Sequence, residues 1–398
     1  MKSTSRRSFL KQAALGAGWA GLGSMAAAED KPIQGFDDTD TTVQKDAVWK
    51  PVSDRKVRVG IVGYGVCRFG AAFGFQDHPN VEVVAVSDLI PERCSALAKV
   101  CRCDKTYPSL EELVKDDSIE AVFAATDAPS HARHCIEVMK HGKHVASAVP
   151  ATFGSLEEAD QLFECVKTTG LKYMMFETSV FHNDAYAMRQ IYNAGQFGKM
   201  VYTEGEYFHY MPTPIDSFKG WRIGLPPQWY PTHSNAYYTG VTGGSFTEVS
   251  CMAVPSIIEH LQPANNVYKN PFGTEIALFR TSEGGMARMG VSWDTPGHGG
   301  EKGRVRGQKG AMTAMDYAGS GDVSKLRLEK PPLPPGVAAG GHGGSHGYLG
   351  NEFVTAILED RTPLVDIAWA LNMTVSGIVA HQSALNDGEL LKIPQYTL

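Results

Sequence analysis

VRVGIVGYG, Val57 to Gly65, is the stretch that decides the fold of this 398-residue chain. A short apolar run rich in β-branched residues reads as a buried strand. Gly63-Tyr64-Gly65 then turns straight into a helical pattern. Strand, glycine turn and helix N-terminus in that order build a cradle for a pyrophosphate. The first glycine makes the tight turn and the second lets backbone N–H groups approach the ligand. Arg68 occupies the third glycine position, with Gly70 two residues on. The next apolar run, VEVVAVSD, ends on Asp88, a carboxylate placed to accept ribose hydroxyls and to repel a 2′-phosphate. NAD is therefore favoured over NADP.

Outward from this unit the pattern repeats. EAVFAATD and HVASAV read as further buried strands with helical stretches between them. Ser109-Leu-Glu-Glu112 and Ser155-Leu-Glu-Glu158 are capping boxes that start two of those helices. Alternating strands and helices predict a doubly wound parallel sheet, a Rossmann domain over residues 55–177. After Glu177 the period changes. MVYTEGEYFHY (200–210), TEIALFR (274–280) and MARMGVSW (286–293) alternate as half-buried strands do. They predict a second, α+β domain over 178–398 with a mostly antiparallel open sheet. Helical patterns near 348–360 and 366–385 close the chain. KPPLPPGVAAGGHGGSHG at 330–347 is a long glycine-rich connection, of the kind that usually carries function.

Composition narrows the partners. Hydrophobic residues make up 43% and charged residues 20% of the chain, as in ordinary globular enzymes, and the net charge is −6. An acidic balance speaks against nucleic acid or an anionic membrane surface. The seven cysteines are odd in number and fit no disulfide framework or zinc spacing. Residues 1–28 begin MKSTSRRSFLK and continue with a short Ala/Gly-rich run to Ala26-Ala27-Ala28. This reads as a twin-arginine export signal with a cleavage site, and residues 29–54 as a linker or arm. The expectation is a periplasmic or otherwise exported protein with no membrane span in its mature part.

GIVGYG, VAVSDLIPERC, AATDAPSHARHCIEVMKHGKHV and the closing EDRTPLVDIAWA…LLKIP resemble the Gfo/Idh/MocA family of NAD(P)-dependent carbohydrate oxidoreductases, across roughly 55–398. The resemblance implies NAD as cofactor, held by Gly63, Tyr64, Gly65, Arg68, Asp88, Arg93, Thr126, Pro129, His131, Val149 and Pro150. It also implies pairing of copies through the C-terminal sheet. Two family features are missing. Ala148-Val149-Pro150 stands where the family has Glu-Lys-Pro, and Gly243-Gly244 leads to Glu248 and then Met252, where a histidine is usual. Tyr230-Pro-Thr-His233, Gly341-His342-Gly343-Gly344 and Val149-Pro150-Ala151 resemble the branch of NAD-dependent α-N-acetylgalactosaminidases. That branch implies redox-cycled cleavage: oxidation at the sugar C3, elimination of the aglycone, hydration, and return of the hydride.

The displaced chemistry is expected in WRIGLPPQWYPTHSNAYY, 221–238. Aromatic faces with interspersed polar groups suit a sugar ring. His233, Tyr230, Glu248 and His346 are the candidates for proton transfer, with His233 foremost. Trp221, Arg222, Trp229, Tyr237, His209 and His342 are the candidates for substrate contact, although Trp221 and Trp229 suit core packing equally. No metal is expected. The leading expectation is an exported glycan-active enzyme that keeps its NAD and recycles it. A net sugar dehydrogenase or sugar–sugar oxidoreductase, and a non-catalytic sugar-binding protein, are the alternatives.

Overall fold

The computed structural model describes residues 49–398. The twin-arginine stretch and most of the arm lie outside the described residues. The described residues belong to one compact unit.

Six parallel strands make the first sheet: β1 Val57–Val62, β2 Val81–Ser87, β3 Thr106–Tyr107, β4 Ala121–Ala124, β5 His144–Ser147 and β6 Tyr173–Met175. Their order is β3-β2-β1-β4-β5-β6, and every pairing is parallel. β1 and β4 have hardly an exposed residue because helices cover both faces, which is why their sequences run apolar without alternation. The order reverses between β1 and β4. A crevice opens there beyond the strand ends, and Gly63 sits at its floor. Both serine caps form: the Ser109 and Ser155 hydroxyls accept the N–H groups of Glu112 and Glu158. Each such cap stabilises its helix by about 1 kcal/mol. β3 and β6, two and three residues long, carried no legible strand pattern.

The second sheet has eight strands: β7 Met200–Phe208, β8 Phe246–Pro255, β9 Phe272–Thr281, β10 Met286–Ser292, β11 Gly300–Gly307, β12 Gly310–Thr313, β13 Asp316–Gly319 and β14 Leu391–Lys392. Their order is β13-β12-β11-β7-β10-β9-β8-β14, antiparallel except for the parallel β7–β10 pair. The helix Ile367–Leu385 covers part of one face and also touches the helix Leu156–Thr169 and β6. Lying between the two sheets, it is buried nearly all round, and its sequence is mostly apolar with small polar residues between. The other face exposes Val201, Met252, Val254, Leu278 and Met286. Among the described residues, no helix is long and apolar enough to cross a membrane.

Candidate active site

Gly63 has φ +99°, and a Cβ there would collide with the carbonyl of Ala125, so the turn admits only glycine. Gly70 does what the usual third glycine does. A side chain on it would strike the Gly63 carbonyl, Leu97 and Ile61, so the helix could not lie against β1. Arg68 occupies a left-handed turn position at φ 51°. A Cβ on Gly65 would meet no protein atom within 4 Å, which leaves the space a pyrophosphate needs above the backbone. Asp88 braces the turn, its two oxygens accepting the N–H groups of Tyr64 at 2.7 Å and Ile90 at 2.9 Å.

Gly63, Gly65, Arg68, Asp88, Arg93 and Thr126 line the resulting open groove. Its far wall comes from the second half of the chain, Asp216 to Trp221 and Arg222, and Arg93 approaches Asp216 at 4.0 Å across the gap. Trp221 and Arg222 are among the residues expected at the site, whereas nothing in Asp216 to Lys219 marks those residues as neighbours of Asp88. Tyr64, Pro129, His131, Val149 and Pro150 are not among the lining residues. The buried His131 instead places its ring nitrogens 2.7 Å from the Pro150 carbonyl and 3.1 Å from that of Thr126. It shapes the wall without forming it. The glycine turn, the open space at Gly65 and the Asp88 carboxylate fit NAD.

A cluster of ionisable side chains lies next to this groove. His233 sits on a helical turn, Thr232–Asn235, that rests on paired glycines of the sheet. Gly205 on β7 and Gly303 on β11 face each other, and side chains there would collide with Ser234 and Tyr237. His233 Nδ1 is 2.8 Å from Glu177 Oε1 and 3.7 Å from Glu301 Oε1. Glu177 follows β6 and also accepts the Ser179 N–H at 2.9 Å. Glu301 belongs to β11, takes the Ser179 hydroxyl at 2.5 Å, and lies 3.1 Å from His182 Nε2. Tyr207, opposite Glu301 on β7, packs edge-on against the His233 ring at 4.5 Å, and Tyr230 lies 5.7 Å from it.

Burial opposes a charge on His233, but Glu177 and Glu301 outweigh it and hold the imidazole up at about 9. Both carboxyls stay below their usual range, despite burial, because of that same cation. The opposite holds 6.3 Å away, where the His342 ring stacks on His233. Burial, with help from the neighbouring histidines and against the pull of Glu301, pushes His342 down to about 3. His346, whose Nε2 is 2.9 Å from His342 Nδ1, is pushed down by burial to about 4. The long glycine-rich connection thus delivers two neutral imidazoles, with His342 itself at φ 49°. Phe69 and Trp221 join the cluster to the groove. Phe69 touches both His342 and His346, and Trp221 stacks on Tyr230 and under the Arg222 guanidinium.

Three expectations are corrected. Glu248 does not reach the cluster: it lies on β8 and pairs with the exposed Arg280 at 3.2 Å, because its strand position points away from the covered face. Trp229 packs among Phe153, Tyr268 and His381, away from the groove. Tyr237 is fully buried, and its hydroxyl donates to the Glu301 backbone carbonyl at 3.3 Å, so it steadies β11. Tyr230, His233, His342, His346, Trp221 and Arg222 do come together. His209 lines a small cavity beside Tyr207, Arg222 and Tyr230. Glu177, Glu301 and His182 were missed. Lone acids scattered over 125 positions carry no spacing signal. Glu177, His233 and Glu301 each offer one ligand atom within 4.8 Å of the others. Each already faces a proton donor or acceptor, so the cluster is a hydrogen-bonded ion group as it stands.

Residues 57–177 match the oxidoreductase family with an NAD-binding Rossmann fold. That match covers the first sheet with its helices and ends at Glu177. Glycosyl hydrolase family 109 protein 1 of Bacteroides fragilis (strain YCH46) is 33% identical over 162 residues, covering 38% of this chain and 35% of that protein. This chain therefore matches only about a third of that relative's length. A glycosyl hydrolase family 109 protein of Solibacter usitatus (strain Ellin6076) is 24% identical and is matched over 100% of this chain and 98% of its own. Among solved structures, levoglucosan dehydrogenase with NADH and levoglucosan shares the fold at a TM-score of 0.71 and 17% identity, covering 86% of this chain and 100% of that one.

Proposed function

We propose that this protein is an NAD-retaining carbohydrate-active enzyme that oxidises a sugar hydroxyl, at C3, in order to cleave a glycoside. The carrying observation is the buried His233–Glu177–Glu301 group beside two neutral imidazoles, joined through Phe69 and Trp221 to a groove walled by both halves of the chain. Relatives named glycosyl hydrolases support the direction of the chemistry. When bound, NAD supplies a hydride acceptor that later returns what it took. The remaining steps move protons. The hydroxyl proton leaves to a base, the ketone acidifies the neighbouring C–H, and an acid protonates the departing aglycone. Trp221 and Tyr230 offer stacked aromatic faces to the sugar, and Arg222 and His209 offer polar contacts.

The twin-arginine leader supports export after folding and cofactor loading. An exported enzyme meets no pool of free NAD, which favours a cycle without net redox over a dehydrogenase. The exposed apolar positions on the second sheet are the surface through which copies would pair. The test is to purify the mature protein without added NAD and offer a panel of aryl glycosides and free sugars. The expected result is aglycone release with no lasting change in cofactor absorbance. Accumulation of bound NADH on a free sugar would establish the dehydrogenase instead. Absence of dinucleotide after denaturation would remove both readings.

A further inference from the structure

We propose that the two stacked imidazoles divide the proton work of the elimination step: His233, clasped between Glu177 and Glu301, is the acid, and His342, backed by His346, is the base. The proposal rests on the glycoside-cleaving reading above and names the residues of that step.

The geometry carries it. His233 Nδ1 is committed to Glu177 at 2.8 Å and faces Glu301 at 3.7 Å, which leaves Nε2 as the nitrogen that can pass a proton to a ligand. Two buried carboxylates against one imidazole favour the cation. Tyr207 and Tyr230, which face the same ring, are kept protonated by burial and add no charge. Arg222 lies beyond them against Trp221. His342 is placed the other way. Its titratable neighbours include His346 at 2.9 Å, the stacked His233 ring and His182, with Glu301 pulling the other way. A neutral imidazole whose partner is another imidazole can accept a proton and share it. Neighbouring groups with opposed protonation are the usual sign of an acid and a base at one site.

The step balances. His342 takes the proton from C2, the released electron pair forms the C1=C2 bond, and the C1–O bond breaks. The His233 Nε2 proton goes to the aglycone oxygen. Water addition reverses the two transfers and restores both rings. Glu301 is a positioning residue. It biases His233 and links it to His182 at 3.1 Å, without itself meeting the reacting atoms.

Two measurements test this. Ring-nitrogen NMR of the NAD-loaded protein should find His233 protonated and His342 neutral at pH 7.5, whether or not any glycoside is turned over. The reverse pattern, or both rings neutral, would overturn the proposal. The second uses a sugar that the wild type cleaves, offered as its dinitrophenyl and its phenyl glycoside. His233→Gln should slow the phenyl glycoside at least tenfold more than the dinitrophenyl one, whose leaving group needs no acid. His342→Gln should slow both alike. Equal loss on both substrates for His233→Gln would overturn the assignment while leaving glycoside cleavage itself standing. Glu301→Gln should lower the basic limb of the pH–rate profile by a unit or more, and Glu301→Asp should restore it. Glu248→Gln, far from the cluster, should leave the profile in place.

Discussion

Two glycines of one turn should respond to the same methyl group in opposite ways. Gly70→Ala puts a Cβ against the Gly63 carbonyl, closer than any real Cβ approaches, and 3.1 Å from Leu97 and 3.3 Å from Ile61. The helix must shift away from β1 or the Gly63 peptide must turn, and overpacking of this kind costs about 1–3 kcal/mol. In a chain of this size that lowers the melting temperature by roughly 2–8 °C. Because the shift moves the turn under the cofactor, retained NAD should also fall. Gly65→Ala meets no protein atom within 4 Å, and Gly65 is not among the positive-φ positions. Its stability should stay within about 0.5 kcal/mol of wild type, as for an ordinary surface change. Its Cβ fills the space assigned to the pyrophosphate, so NAD retention should be lost. Thermal unfolding of the NAD-stripped proteins, and NAD released on denaturation of the purified ones, read the two effects separately. If Gly65→Ala kept its NAD, or melted as early as Gly70→Ala, the assignment of the two roles would be refuted.

Two more predictions follow from the same structure. Stability of the described core should peak near pH 6.5. Raised to about 9 in the fold, His233 contributes about 3 kcal/mol that is fully present below pH 6.5 and is lost as the pH rises through 9. His342 and His346, held low, each cost roughly 2 kcal/mol by pH 5, since the unfolded chain binds those protons first. Chemical denaturation across pH 5 to 9.5 checks this, and a flat profile would contradict the charge states assigned. Trp229→Ala should cost about 3 kcal/mol by emptying the space between Phe153, Tyr268 and His381. Its NAD content, measured after denaturation, should be unchanged, whereas a loss of NAD would return Trp229 to the groove.

Much of the fold was legible because it rests on local patterns. A strand buried on both faces must be continuously apolar, and a glycine turn before a helix has few other uses, so β1, the Gly63 turn and Asp88 could be read directly. Both serine caps followed from spacing alone. Short elements were missed for the same reason: β3 and β6 are too brief to show a period, and β11, GEKGRVRG, is too glycine-rich to look like a strand.

The candidate site divides along a similar line. Tyr230, His233, His342 and His346 stand out because histidines and aromatics cluster in short segments. Glu177 and Glu301 do not, since each is a single acid with no motif around it. Glu248 drew attention through its place after Gly243-Gly244, yet its strand turns it to the outward face beside Arg280. The sequence by itself determined that the chain builds a dinucleotide-binding fold and that two short segments, 230–233 and 341–346, carry candidate histidines. Only the tertiary structure decided their charges. Glu177, just after β6 of one sheet, and Glu301, near the start of β11 in the other, close on His233, while His342 stacks on His233 and meets His346. Protonation is set by the field of groups distant in sequence and by burial, and neither is written in any one segment.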